Sequence, residues 1–311
     1  MNPTAEHPAR FDLGGCTVTL INGGHLRIDG GAMFGIIPKA LWSRTNPADE
    51  QNRIEMACNC LLVEWPGEAA RRVIIETGHG PKLSPKEQKI YAADSQHWLL
   101  PSLQALGVDP LTVTDVIVSH LHFDHAGGLT YEAEGRLRPT FPNARVHVQR
   151  QEYEDARAGF GITNISYPRQ NLDPIDQAAA WNLLDGEVEI VPGIRALLAP
   201  GHTRGHQAVL VAGRQRSLVF GGDTIPTAGH LGAAYNMSYD LSPLENRASK
   251  YKLLQMLAQC GGVLLFDHEP HTPAVSVRAE GDWFELAPGT EYSPTDSRPS
   301  GTIPPSAACR G

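Results

Sequence analysis

His120-Leu121-His122-Phe123-Asp124-His125-Ala126-Gly127-Gly128 is the stretch on which the reading of this chain turns. It follows an apolar run, Val116-Ile117-Val118-Ser119, which predicts a short buried strand. In an extended segment, residues two apart point to the same side, so His120 and His122 can grip one ion together. Asp124 and His125 come as the chain turns and can face a different point. Gly127-Gly128 would let the backbone leave sharply. Histidines and a carboxylate packed this densely behind a strand predict a metal site, and the missing ligands are to be sought at other strand ends.

Three further segments answer. Pro200-Gly201-His202-Thr203-Arg204-Gly205-His206 is a glycine-punctuated turn between two apolar runs. Phe220-Gly221-Gly222-Asp223-Thr224 puts a carboxylate at the end of an apolar run, and Val263-Leu264-Leu265-Phe266-Asp267-His268 ends another with Asp and His. A single Asp in such a place is commonly a turn or a helix cap. Recurrence at successive strand ends is the stronger signal, because sites gather there in layered folds.

The rest of the chain supports a layered α/β protein. Residues 11–21, 60–65, 72–75, 115–119, 144–149, 187–191, 194–198, 208–212, 218–220 and 262–266 read as strands, with one or two more in 274–284. Ser84 and Glu87 form a capping-box pattern that opens a helix over 84–106, and Gly107 stops it. Helices are also expected over 150–158 and 241–259. Residues 25–57 keep no period yet are rich in large apolar side chains, which suggests a lid-like binding loop. Residues 159–182 read as irregular. From 288 onward Pro, Ser, Thr and Gly dominate, predicting a disordered tail. The expectation is one domain over 1–287, with two sheets sandwiched between helices, and a tail over 288–311.

Composition narrows the function classes. The chain has 311 residues, is 41% hydrophobic and carries a net charge of −8. That charge argues against nucleic acid, whose phosphates need a basic surface. No run is long and apolar enough for a transmembrane helix. Met1 to His7 is polar and lacks the apolar core of a signal peptide, so a cytoplasmic location is expected. The five cysteines, Cys16, Cys58, Cys60, Cys260 and Cys309, form no C-x-x-C pair and read as buried apolar residues.

H-x-H-x-D-H, then G-H-T-x-G-H, then G-D-T, then a strand-terminal His, in that order, resembles the metallo-β-lactamase superfamily across nearly all of the chain before the tail. The resemblance implies an αββα sandwich of two mixed β-sheets flanked by helices. Leu20-Ile21-Asn22-Gly23-Gly24, Asp29-Gly30-Gly31-Ala32-Met33-Phe34-Gly35, Pro38-Lys39-Ala40-Leu41-Trp42, Leu83-Ser84-Pro85-Lys86, Pro226-Thr227 with His230, and Tyr239-Asp240 resemble its YtnP-like branch, associated with quorum-quenching lactonases. Ser276-Val277-Arg278-Ala279-Glu280-Gly281 is also similar to methyl-parathion-hydrolase relatives. Carried over by position, His120, His122 and His202 would bind one divalent ion. Asp124, His125 and His268 would bind a second, and Asp223 would bridge. His206 would be structural. Glu76 stands where the family usually has Asp. Zinc is the expected ion, and cobalt, manganese or iron suit the same donors.

The activity so implied is opening of a lactone ring, that of an N-acyl homoserine lactone, by a hydroxide held between two ions. Asp124 would also carry a proton to the leaving oxygen. Acyl-homoserine lactonases of this superfamily place a Tyr three residues after the bridging Asp, where this chain has Pro226. His230, Tyr235 and Tyr239 are therefore the candidates for stabilising the oxyanion. Met33, Phe34, Ile36 and Trp42 are the expected apolar wall for substrate, and their loop would also suit a homodimer interface. Two other readings use the same residues: an organophosphate triesterase or arylesterase, and a non-catalytic binding protein that keeps the fold.

Overall fold

The apolar runs become strands buried on both faces. In β4 (Arg72–Ile75), Val73 and Ile75 face one way and Ile74 the other, and all three are fully buried. β13 (Ser217–Phe220) and β14 (Val263–Leu265) repeat the arrangement. Strands of this kind need cover on two sides. The computed structural model describes residues 9–67, 71–161 and 166–287 and shows how that cover is supplied. The tail expected over 288–311 lies outside the described residues.

One sheet has seven strands, in the order β1 (Arg10–Asp12), β2 (Thr17–Asp29), β3 (Arg53–Glu64), β4, β5 (Asp115–Ile117), β8 (Arg145–Gln149) and β9 (Trp181–Leu184). It is antiparallel from β1 to β4 and parallel from β4 to β9. The other runs β10 (Val188–Val191), β11 (Ile194–Leu198), β12 (Gln207–Ala212), β13, β14, β15 (Ala274–Glu280) and β16 (Trp283–Leu286), with only β13 and β14 parallel. A small hairpin of β6 (Thr130–Ala133) and β7 (Arg136–Pro139) stands apart.

The two sheets face each other across an apolar layer. Val18, Leu61, Val73, Ile75 and Ile117 come from the first sheet, and Val209, Leu218, Phe220 and Leu265 from the second. The outer face of the first sheet is covered by α4 (Leu99–Ala105), α6 (Arg150–Ala158) and α7 (Arg169–Gln177), through Leu99, Leu103, Ala156, Leu172 and Ile175. Leu253, Leu254 and Leu257 of α8 (Pro243–Cys260) cover the second. The expected αββα sandwich with two mixed sheets is the observed one. Among the described residues, no helix is long and apolar enough to cross a membrane.

Several expectations need correction. The helix expected over 84–106 is two, α3 (Pro85–Tyr91) and α4. Its capping box at Ser84 and Glu87 forms as read, but Ala92 turns left-handed at φ 46° and ends the first helix. Residues 159–182, read as irregular, carry α7 and the start of β9. The stretch over 25–57 is largely not a lid: 25–29 and 53–57 extend the paired arms of β2 and β3. Between the arms, the short helices α1 (Gly30–Phe34) and α2 (Lys39–Trp42) fold inward. Cys16, Cys58 and Cys60 are buried and free as expected, whereas Cys260 is disulfide-bonded.

The inward fold displaces the expected substrate wall. Met33, Phe34 and Trp42 are core residues packed with Leu26, Ile54 and Met56, while Ile36 points out, 87% exposed. Phe34 stacks on Trp42 at 5.4 Å and on His230 at 4.5 Å, ring centre to ring centre. Phe34→Ala should therefore cost roughly 3–5 kcal/mol of stability, as deletion of a buried aromatic does, read from urea denaturation. An unchanged midpoint would return Phe34 to the substrate wall.

Candidate metal centre

Each ligand candidate leaves the end of a strand. His120 comes just after β5, His202 after β11, Asp223 after β13 and His268 after β14. Asp124 and His125 ride on a single helical turn, α5 (Phe123–Ala126), entered from His122. Gly127 allows close approach rather than unusual dihedrals: its φ is −62°, but a Cβ there would lie 2.1 Å from the His79 carbonyl oxygen. On the opposite wall, Asn59 of β3 donates from its side chain to the carbonyls of Phe266 and Glu269, fixing the segment that carries His268.

Seven side chains meet, all buried: His120, His122, Asp124, His125, His202, Asp223 and His268. His122 Nδ1 lies 2.9 Å from His120 Nε2 and 3.1 Å from His202 Nε2. Asp223 Oδ2 is 3.1 Å from His202 Nε2, 3.5 Å from His125 Nε2 and 3.8 Å from His120 Nε2. Its other oxygen is 3.2 Å from His268 Nε2. Two groups thus have ion-holding geometry, His120, His122, His202 and Asp223 in one, and His125, Asp223, Asp267 and His268 in the other. Asp124 lies just outside the second group, one oxygen 3.8 Å from His125 Nε2 and the other 3.8 Å from His268 Nε2.

The outward ring nitrogens of His120, His125, His202 and His268 each face a polar group behind them. His202 Nδ1 donates to Asp240 Oδ1 at 2.9 Å, and His268 Nδ1 to the Ala57 carbonyl at 2.7 Å. His120 Nδ1 is 3.0 Å from the Ser119 hydroxyl. His125 Nδ1 faces Asp267 Oδ2 at 2.7 Å and Glu76 Oε2 at 3.6 Å. Such partners fix a ligating imidazole's tautomer and raise its basicity. The extra methylene of Glu76 carries its other oxygen to the Ser119 amide, which donates to it at 2.6 Å. His206 stays off the centre, as the resemblance implied. Its Nε2 accepts from the Asp223 amide at 3.0 Å, and burial drives its pKa down to about 3, so it is neutral.

The electrostatics suit cations. Burial, and then His125 beside it, hold His120 well below the usual imidazole range, and burial with His202 does the same to His122, so both present lone pairs. Burial opposes charge on Asp223, yet His202, His125 and His268 keep it well below the carboxylate range. His125 and His268 are driven the other way, against burial, by Asp267 and Asp223. Asp223 Oδ1 and His125 Nε2 are buried without a hydrogen-bond partner. A polar atom so buried costs about 1–3 kcal/mol. A cation among these nitrogen and carboxylate donors satisfies both atoms, and the residues fit two divalent ions.

The structure separates the three oxyanion candidates. His230 uses both ring nitrogens elsewhere: Nε2 donates to the Met33 carbonyl and Nδ1 accepts from Thr227, each at 2.8 Å. It is a structural tie, not a free catalytic group. Tyr235 lies edge-on against Phe34 and joins the margin of that core. Tyr239, half-buried and next to Asp240, is pushed above the usual phenol range by burial and then by Tyr91, Asp29, Asp124 and Asp223. Sequence reading missed Tyr91, which stacks on Phe123 at 4.9 Å, and the carboxylate of Glu152, neither of which sits in a motif. Asp267 stands in the strand-end segment beside His268, without a role assigned from sequence, and faces His125 Nδ1.

Comparison with known proteins gives three results. A profile of the Metallo-beta-lactamase superfamily matches residues 53–273. An N-acyl homoserine lactonase from a Bacillus species is 36% identical over 109 residues, which is 35% of this chain and 37% of that relative, so the match spans well under half of its length. Among solved structures, a probable metal-dependent hydrolase from Staphylococcus aureus aligns at a TM-score of 0.80 with 29% identity, over 89% of this chain and 99% of the other. AidC, a dizinc quorum-quenching lactonase in complex with a product, aligns at 0.74 with 20% identity, over 92% and 99%, a likeness of fold.

His230 gives a test of the local packing by pH. Burial lowers its pKa from 6.5 to about 4. Above 6.5 both folded and unfolded chains hold it neutral, so it adds no pH dependence. Below that, the unfolded chain takes up a proton that the folded chain refuses. Stability should fall as pH falls, by about 1.4 kcal/mol per unit from this group until the folded pKa is reached. Denaturation across that window should show a shallower slope for His230→Gln than for wild type. Equal slopes would mean that the ring is not held neutral.

Proposed function

The chain belongs to the metallo-β-lactamase superfamily, and from that membership we propose that it is a hydrolase opening the lactone ring of N-acyl homoserine lactones at a two-ion centre. The observation that carries this is Asp223, shared between two ligand groups in a pocket of matching imidazoles. Relatives named N-acyl homoserine lactonase support the substrate class.

The first ion would take His120 Nε2, His122 Nδ1, His202 Nε2 and Asp223. The second would take His125 Nε2, His268 Nε2, Asp223 and Asp124. Asp124 is preferred to Asp267 on geometry. Asp267 approaches Nδ1 of His125, the nitrogen turned away from Asp223, so its place is behind the ring. Asp124 approaches Nε2 of both second-ion histidines. Zinc is the proposed ion. Divalent ions bound here would lower the pKa of water toward neutrality and withdraw charge from a carbonyl oxygen.

The chain's own groups supply the rest. Tyr239 keeps its phenolic proton, because burial and the nearby carboxylates disfavour the phenolate. Its O–H donates to the lactone carbonyl oxygen as negative charge develops there, the moment at which such a donor is strongest. Water would add its oxygen to the lactone carbonyl carbon, and Asp124 would take the proton that this water loses and pass it to the ring oxygen as the acyl C–O bond breaks, giving an alcohol and a carboxylate. The stacked pair Tyr91 and Phe123, both half-buried, replaces Phe34 and Trp42 as the apolar surface for an acyl chain.

Stripping ions with a chelator should abolish lactone opening, and returning zinc should restore it. Metal-loaded protein that leaves every acyl length in a panel unopened would sink the proposal. Tyr239→Phe should lower kcat by roughly 10²–10³, the usual loss for one oxyanion donor, with metal content unchanged. Asp124→Asn that holds both ions yet keeps the full rate would remove the proton-carrying role.

A further inference from the structure

The first three histidines reach their meeting point from different sheets. His120 and His122 follow β5 in one sheet, and His202 follows β11 in the other. Ion binding needs their nitrogens within a few tenths of an ångström of fixed separations. Something must set one turn against the other. The Gln207 amide donates to the Ser119 carbonyl at 3.0 Å and joins the two segments behind the ligands, but that bond does not reach the turns at Leu121 and Thr203 themselves.

Glu152, in the first turn of α6, lies between the two turns and is fully buried. Its Oε1 accepts from the backbone N–H of Leu121 at 3.0 Å and from the Tyr167 hydroxyl at 3.3 Å. Its Oε2 accepts from the Thr203 hydroxyl at 2.5 Å. Leu121 is the residue between His120 and His122, and Thr203 is the residue after His202. One carboxylate therefore spans both ligand-bearing turns without touching a ligand. The same turn of α6 presses on the second loop through Gly205, where a Cβ would lie 2.2 Å from the Glu152 nitrogen. Arg204, on the other flank, donates to Asp155 one helical turn further along α6, at 2.8 Å. Ahead of the helix, Gln149 donates to Gln207, which donates to the Val118 carbonyl at 2.9 Å.

We propose that Glu152 is the positioning residue of the first ion, holding the His120–His122 turn and the His202 turn at the separation that binding requires. The inference rests on the two-ion reading. Burying a carboxylate is costly unless its oxygens are well supplied with donors. An apolar side chain would fill this space at lower cost if filling were all that was needed. What a carboxylate adds is two acceptors pointing apart, and here they point at the two turns. Both bonds take groups immediately beside ligands, so small errors there are transmitted directly to the imidazoles.

The test compares wild type with Glu152→Ala, Glu152→Gln and Thr203→Ala. Zinc affinity of the ion-free protein is measured by competition with a coloured chelator, and the thermal midpoint is measured without ions. Glu152→Ala should weaken zinc binding by roughly 10–100-fold, the usual penalty for losing a residue that orients ligands. Glu152→Gln should recover most of it, because its oxygen still accepts from Leu121 and its amide can donate to Thr203. Thr203→Ala should fall between wild type and Glu152→Ala. If Glu152→Ala does not fold, the Gln and Thr203 variants carry the test. Variants that melt earlier but bind zinc as wild type does would overturn the proposal, since Glu152 would then serve only the fold. A Gln variant as weak as Ala would overturn it too, by showing that charge rather than hydrogen-bond geometry matters. Wild type that takes up no zinc would instead defeat the two-ion reading beneath it.

Discussion

A single buried carboxylate, Asp223, sets the terms for the rest of the molecule. Its two oxygens lie within 3.8 Å of ring nitrogens from His120, His125, His202 and His268. So dense a group of ionisable atoms gains nothing from its own burial. It is imposed by the frame. The apolar layer between the sheets, with Phe220 and Leu265 closest in sequence to Asp223 and His268, makes the strand ends converge whether or not the polar groups there are content. Stability resides in the sheets and function at their edge. The cost at that edge is met by cations among the donors.

Around that carboxylate the two ligand groups are supported differently. The first depends on Glu152, which accepts hydrogen bonds from turns of both sheets, and on Asp240, which accepts from His202. The second depends on nearby carboxylates and backbone. Asp267 and Glu76 both face His125 Nδ1, and Ala57 fixes His268. An imidazole facing two carboxylates is the more basic ligand, so the His125 side of the centre is the more electron-rich.

How much of this was legible in the sequence depends on how local each feature is. His120, His122, Asp124 and His125 could be read at once, because strand geometry and spacing alone bring them together. His202, Asp223 and His268 needed the recurrence of ligand types at strand ends. The two-sheet frame was legible because strands covered on both faces are continuously apolar. The substrate wall was misread because Met33, Phe34 and Trp42 are large and apolar in a stretch without period, and that description fits a lid and a core equally. Only the pairing of β2 with β3 decides between them, and pairing at that separation leaves no local trace. Glu152 and Tyr91 were invisible for the same reason. Each lies on an ordinary helix, and its importance comes from what another part of the chain places opposite. The break at Ala92 was hidden because alanine is the strongest helix former and gives no sign of a left-handed turn.

The segment from 228 to 240 shows how one loop can divide its roles. Lys250 of α8, with burial lowering its pKa to about 8, donates to the carbonyls of His230 and Tyr235 at 2.8 and 2.7 Å. An ammonium ion held by backbone carbonyls constrains the path of the loop while leaving its side chains to be used elsewhere. His230 then faces α1, and Tyr235 meets Phe34. Beyond them the loop is tied to the metal centre, with Asp240 on His202 and the Leu241 amide donating to the His202 carbonyl at 3.1 Å. Tyr239 falls in that last part, between a fixed core and a fixed ligand. The oxyanion role proposed for Tyr239 draws on that placement: the anchors on either side fix the loop that carries it, and it requires no motif at Pro226, three positions after Asp223.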